Sequence, residues 1–208
     1  MGTQASTASA QRGEAQRTVP GLLRTFFAVE IGDAARREAS AVADRLAASP
    51  GGAAVRWARP EAYHVTLRFL GKTRRASIAP LIAGAREATR AIPAFPARLG
   101  ALGGFPERRP RVVVIGVCPE APLIALAQAI EAAVVAEGFE PDARGYHPHL
   151  TLGRVKDRAK RAPILHAKAG PADPAPFDVA SFTLFQSVLT PSGSQYTALE
   201  RIPLEAPA

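Results

Sequence analysis

Two segments of the chain carry the same short pattern. Tyr63-His64-Val65-Thr66-Leu67-Arg68-Phe69-Leu70-Gly71 and Tyr146-His147-Pro148-His149-Leu150-Thr151-Leu152-Gly153-Arg154-Val155 each hold His-x-Thr-Leu inside an apolar, strand-like run, with the two histidines 85 positions apart. In a strand, residues i and i+2 point to the same face, about 7 Å apart. His64 with Thr66, and His149 with Thr151, therefore each set an imidazole beside a hydroxyl. Two such pairs facing one cleft supply two proton-transfer groups and two hydroxyl hydrogen-bonders, a set that splits a phosphodiester without a metal. The plain alternative is two half-buried strand histidines bonded to their neighbours. The repeated leucine and the repeated strand context argue against it. The rest of the chain then reads as a scaffold that brings two distant strands together.

Composition sets outer limits. At 208 residues and 47% apolar content, the chain suits one domain of ordinary size, or two small lobes sharing a core. Its 26 Lys and Arg against 18 Asp and Glu give a formal charge of +8, which favours anionic partners such as nucleotides and RNA. Cys118 is the single cysteine, which excludes an internal disulfide and a cysteine zinc cluster. It lies in an apolar run and reads as a core residue. There is no run of 18 or more apolar residues and no apolar signal-peptide core, so a cytoplasmic enzyme without membrane contact is expected.

Residues 1 to 20, rich in Ala, Ser, Thr, Gln and Gly, read as a disordered tail, with a domain over 21–204 and a short tail at 205–208. Leu22 to Ile31 is a β-prone central strand. Asp33 is placed to cap a helix to about Ala48, with Ala35, Ala39, Val42 and Leu46 on one face. Val55 to Ala58 is a short strand before the first His-x-Thr run. Ser77 is placed to cap a second helix, whose stripe includes Ile78, Leu81, Ile82 and Ala85. Strands follow at 95–104 and 111–118, around a turn at Phe105–Pro110. A third helix is predicted from about Pro122 to Glu137, stopped at Gly138. The second His-x-Thr strand is predicted over 146–155. Residues 154 to 168 are strongly basic, a solvated loop and short helix or else a phosphate-steering rim. Phe177 to Leu189 and Gln195 to Ile202 form a hairpin across Thr190–Ser194.

This order of elements points to an α+β fold of two lobes related by internal duplication. Each lobe is predicted to carry a mainly antiparallel sheet with helices outside, and a central cleft between the lobes is lined by the two His-x-Thr faces.

With these motifs in view, the chain resembles the 2H phosphoesterase superfamily, and within it the bacterial RNA 2′,3′-cyclic phosphodiesterases, historically named 2′-5′ RNA ligases. The paired motifs carry the resemblance, together with Arg24-Thr25-Phe26-Phe27-Ala28-Val29, Val55-Arg56-Trp57, Arg68-Phe69-Leu70-Gly71, Arg144-Gly145-Tyr146-His147-Pro148-His149 and Ser187-Val188-Leu189-Thr190-Pro191-Ser192-Gly193. It covers about residues 22 to 204. The resemblance implies His64 as proton donor, His149 as proton acceptor, and Thr66, Thr151 and Arg154 as phosphate-binding groups. It implies hydrolysis of an RNA or nucleotide 2′,3′-cyclic phosphate in which the 3′ oxygen leaves and a 2′-phosphate remains. The near-symmetry of the motifs leaves the acid and base assignment open to the sequence alone. No cofactor and no metal are expected, because neither motif contains a carboxylate. A monomer without an obligatory protein partner is the expectation.

Two alternatives stand beside this reading. A nucleotide- or RNA-binding module would keep the cleft and lose the chemistry, yet none of the four motif positions is lost. Ligation of RNA halves through a 2′-5′ bond uses the same site in reverse, since acid and base exchange roles. His147, two residues before His149, is expected at the cleft edge. A metal site from His64, His147 and His149 is disfavoured by the lack of Asp, Glu or Cys at ligand spacing. His166 reads as structural or exposed. Trp57 and Tyr63 are candidates to line the cleft and stack on a base, with Trp57 equally suited to the core. Phe26, Phe27 and Phe69 read as packing residues, and Gly103-Gly104 as a turn or bulge.

Overall fold

The β-branched and aromatic runs of the sequence pair into one antiparallel sheet. The computed structural model describes residues 21–106, 110–156, 170–171, 173–190 and 193–206. Among these residues lie strands β1 (Leu22–Glu30), β2 (Val55–Trp57), β3 (His64–Arg74), β4 (Phe95–Phe105), β5 (Val112–Cys118), β6 (His149–Val155), β7 (Phe177–Val179), β8 (Ser181–Thr190) and β9 (Gly193–Pro203). The helices are α1 (Asp33–Ala48), α2 (Ile78–Thr89) and α3 (Glu120–Ala136). The expected tail at 1–20, His166 and most of the basic 154–168 stretch lie outside the described residues.

Strand order is β7-β4-β5-β6-β3-β1-β8-β9, with β2 also paired to β6. Two antiparallel halves are thus joined edge to edge, and the join is narrow: β3 and β6 share the register pair Val65↔Leu150. Helices cross between the halves. Although α1 follows β1 in the chain, it packs on β2, β4 and β6, whereas α2 and α3 pack on each other and against β9 and β3. One core runs through both halves, from Phe27 and Val65 to Ile115, Leu150 and Ile202. No helix among the described residues is long and apolar enough to cross a membrane.

Several boundaries differ from the sequence expectation. α1 is capped by the extended backbone of Gly32, so Asp33 lies in its first turn. Ser77 has helical backbone and makes no side-chain cap bond, because a 3₁₀ turn at Arg75–Ser77 leads straight into α2. α3 starts at Glu120 after Pro119, and Pro122 falls in the first turn, where its missing N–H costs nothing. β6 begins at His149 because Pro148 has no N–H to offer a ladder. At the other end, Glu205 is no tail residue: it bridges Pro93 and exchanges backbone bonds with Ile92 and Ala94.

Arg68 is the main polar tie between the motifs. Its side chain is 10% exposed, pairs with Glu131 of α3, lies 3.7 Å from Asp142, and donates to the carbonyls of Phe69 and Glu140. It thereby fastens β3 to the segment that leads into the second motif. Arg68→Ala leaves Glu131 without its cation, while Asp142 keeps Arg144, and unfolding in urea should show a loss of about 1–3 kcal/mol, below the 3–5 of a fully buried pair.

Candidate active site

Strand alternation decides which side chains meet. Val65 and Leu67 on β3, and Leu150 and Leu152 on β6, are buried beneath the helices. His64 and Thr66, and His149 and Thr151, stand on the opposite, open face. The antiparallel pairing at Val65↔Leu150 sets His64 across from Thr151 and Thr66 across from His149. The two imidazoles are therefore on diagonal neighbours, residues about 7–8 Å apart in regular geometry and somewhat less at Cβ. Their electrostatics agree, since the charge of His149 acts on His64 and that of Arg154 acts on both.

Arg154 reaches this face through a bulge. At five residues past His149, strict alternation would send it under the sheet. The register with β5 runs Val114↔Thr151 and then Val113↔Gly153, so Leu152 is an extra residue. The bulge reverses the phase and returns Arg154 to the side of His149 and Thr151. Gly153 permits it: a Cβ there would stand 2.5 Å from Val55 Cγ1, 2.9 Å from the Arg56 carbonyl oxygen and 3.2 Å from Trp57 Cε3. The first motif repeats the device. Ala28↔Thr66 is followed by Phe27↔Arg68, so Leu67 is the extra residue, and Phe69 returns to the open face. Phe69 is thus the counterpart of Arg154, and the pseudo-symmetry is broken at that position.

Each histidine is held in the same way. Nδ1 of His64 lies 2.8 Å from the Ala62 carbonyl, and Nδ1 of His149 lies 2.7 Å from the His147 carbonyl. A carbonyl only accepts, so Nδ1 carries the hydrogen and the neutral ring keeps its lone pair on Nε2. Thr66 Oγ1 sits 3.1 Å from Nε2 of His64. Aromatic rings flank both. His64 is 4.9 Å from Phe26 and 5.0 Å edge-on from Tyr196, and His149 is 5.1 Å from Phe105. The His64 imidazole is pushed down to about 4, chiefly by burial, with His149 and Arg154 adding to the fall and the Ala62 bond opposing it. Burial likewise lowers His149, with His147 and Arg154 adding to the fall and the His147 carbonyl opposing it. Both rings are neutral at pH 7 in the free protein, and a bound anion would raise both.

Two of the candidate cleft residues lie elsewhere. Tyr63 precedes His64 and so takes the other face; it is 3% exposed, and burial raises its hydroxyl to about 12. Trp57 is in register with Gly153, packs against the core and donates Nε1–H to the Gly52 carbonyl at 3.1 Å. His147 is exposed at the edge, its ring 6.1 Å from Phe105. Sequence reasoning missed Glu30, which is in register with His64 and is held by Arg201 and by Thr183 at 3.2 Å. It also missed the aromatic surroundings, where Phe26 does more than pack. Among the described residues, no three of His, Cys, Asp and Glu cluster closely enough to hold a metal.

A sheet with two His-x-Thr strands side by side at its centre is the architecture of a two-histidine phosphoesterase. The solved protein TT0787 of Thermus thermophilus superposes with a TM-score of 0.70 at 27% identity, over 88% of this chain and 99% of that one. LigT of E. coli complexed with 3′-AMP superposes with a TM-score of 0.69 at 27% identity, over 88% and 98%. An Archaeoglobus fulgidus protein named RNA 2′,3′-cyclic phosphodiesterase is 33% identical over 178 residues, 85% of this chain and 98% of its own length. The sequence profile of the 2′-5′ RNA ligase superfamily matches residues 33–189, and the chain belongs to that superfamily.

Proposed function

We propose that the protein hydrolyses RNA ends bearing a 2′,3′-cyclic phosphate to 2′-phosphomonoesters, with His64 as proton donor and His149 as proton acceptor and without a metal. The observation that carries this reading is the diagonal placement of two Nδ1-anchored imidazoles with Arg154 on the same face. Relatives named RNA 2′,3′-cyclic phosphodiesterase and the 3′-AMP complex of LigT support the substrate class.

The cyclic diester carries one negative charge. Arg154, Thr66 and Thr151 hold its non-bridging oxygens and stabilise the charge that grows on them. Nε2 of His149 takes a proton from water as the water oxygen bonds to phosphorus. The bond from phosphorus to O3′ breaks, and protonated Nε2 of His64 gives its proton to O3′. The products are a 2′-phosphate and a 3′-hydroxyl, and a proton exchange with solvent resets the pair. His149 faces solvent more openly than His64, which is walled by Phe26 and Tyr196, and that suits His149 to the attacking water.

Incubation of a cyclic-ended oligoribonucleotide in EDTA should yield 2′-phosphate ends. One histidine must be charged and the other neutral, and both free-protein pKa values lie below 6.5. The kcat/KM profile, which reports the free enzyme, should therefore peak below about pH 6.5 and fall as pH rises through neutrality. The bound anion raises both pKa values, so the kcat optimum should lie at higher pH than that of kcat/KM. Chelator-sensitive turnover, 3′-phosphate products, or kcat/KM rising through pH 7–8 would overturn the reading.

A further inference from the structure

The open face of the sheet carries a second basic feature, away from Arg154. Arg24 on β1 and Lys72 on β3 are exposed and directly in register. They share the face of Phe26, His64 and Phe69, because residues two apart on β1 alternate together and Phe26 pairs with Phe69. Like charges directly opposite across strands repel. Among the described residues neither cation is in an ion pair. The guanidinium of Arg24 instead lies 4.4 Å from the centroid of the Phe69 ring. Glu30, on the same strand and face, sits at its opposite end and is engaged by Arg201. Two unneutralised cations interleaved with an aromatic ring form the pattern that tracks a single-stranded nucleic-acid backbone.

We infer that Arg24 and Lys72 bind a backbone phosphate on the 5′ side of the terminal nucleotide, which makes the substrate an RNA strand in preference to a free cyclic mononucleotide. The inference rests on the cyclic-phosphate reading above. Counted on β1, Arg24 and its partner Lys72 lie six residues from the Glu30↔His64 pair, about 20 Å along the strand and beyond the terminal phosphate itself, with Phe69 between. The broken pseudo-symmetry gives the face a direction. The half containing Arg154 holds the reacting phosphate, and the half where Phe69 takes its place, with Arg24 and Lys72 around it, receives the upstream strand.

The test compares a 2′,3′-cyclic mononucleotide with a cyclic-ended oligoribonucleotide, in the wild type, the R24A/K72A double variant, and R90A at an exposed helix end as control. The ratio of oligonucleotide to mononucleotide kcat/KM should fall at least ten-fold in the double variant and stay unchanged in R90A. Binding of a labelled RNA with a 2′-phosphate end, read by anisotropy, should weaken in parallel. Its log–log salt slope should shrink by about 0.7 per lost phosphate contact. An unchanged ratio together with unchanged anisotropy would overturn the inference. RNA binding that depends on the pair, in a protein that hydrolyses neither substrate, would leave the basic pair standing and remove the proposed reaction.

Discussion

Alanine at His64 or at His149 is expected to lower kcat/KM on a 2′,3′-cyclic phosphate by about 10²–10⁴-fold, the usual worth of one positioned proton-transfer group. The geometry explains why neither histidine substitutes for the other. Each ring is anchored through Nδ1 to the carbonyl two residues earlier, so each offers only Nε2 to a substrate on the open face. The rings lie on different strands, diagonal to each other, with Arg154 on the same face beyond Thr151. Removing one leaves the other with a proton to give or to take, but no partner for the second transfer. The double variant should fall little further than the worse single one, as groups that act as a unit do. His64→Gln separates chemistry from packing, because it refills part of the space against Phe26 and Tyr196 and still cannot shuttle the proton. Circular dichroism and the melting temperature of each variant check that the fold persists. A folded single variant that turns over at near wild-type rate rejects the two-histidine mechanism.

The next largest effect is expected at a residue that carries no chemistry. Gly153→Ala places a methyl group 2.5 Å from Val55 Cγ1 and 2.9 Å from a backbone oxygen of β2. Val55 is 2% exposed and wedged in the core, so neither neighbour has room to give. Overpacking of this kind costs about 1–3 kcal/mol. The strain falls on the β2–β6 pairing and on the bulge at Leu152 that aims Arg154. A displacement of about 1 Å in a positioning group costs on the order of 10²-fold in rate. A loss of kcat/KM that exceeds the loss of folded population, with KM for the anionic substrate raised, would mark Arg154 as misaimed. Arg154→Lys should recover part of the activity that Arg154→Ala loses, since a lysine restores the charge without the fork. Wild-type kinetics in Gly153→Ala would show that the bulge does not aim the guanidinium.

Much of this arrangement is legible in the residues. Period-two alternation is a local property, so the order of residues alone sets His64 with Thr66 on one face, and His149 with Thr151. The same rule assigns Tyr63 to the far side of the sheet, since it is one residue from His64; aromatic character alone is a misleading guide to a cleft position. The helical stripe of Ala35, Ala39, Val42 and Leu46 is buried as its spacing predicts. Cap residues mislead at Asp33 and Ser77, where backbone geometry at Gly32 and a 3₁₀ turn take over. Glu30 is invisible in the sequence as a neighbour of His64, because 34 positions of helix and loop separate them and only the β1–β3 register joins them.

Local chemistry, then, chose the strands, the inward faces of the helices and the two imidazole–hydroxyl pairs. The long-range pairing chose everything that turns those pairs into one site: the meeting of Val65 with Leu150, the extra residues Leu67 and Leu152, and the return of Arg154 to the histidine face while Phe69 takes the matching place. A bulge is a mismatch between two strands, so no single strand encodes it. It exists only when a partner many residues away sets the count, and here that count places a cation of β6 and an aromatic ring of β3 on the histidine face.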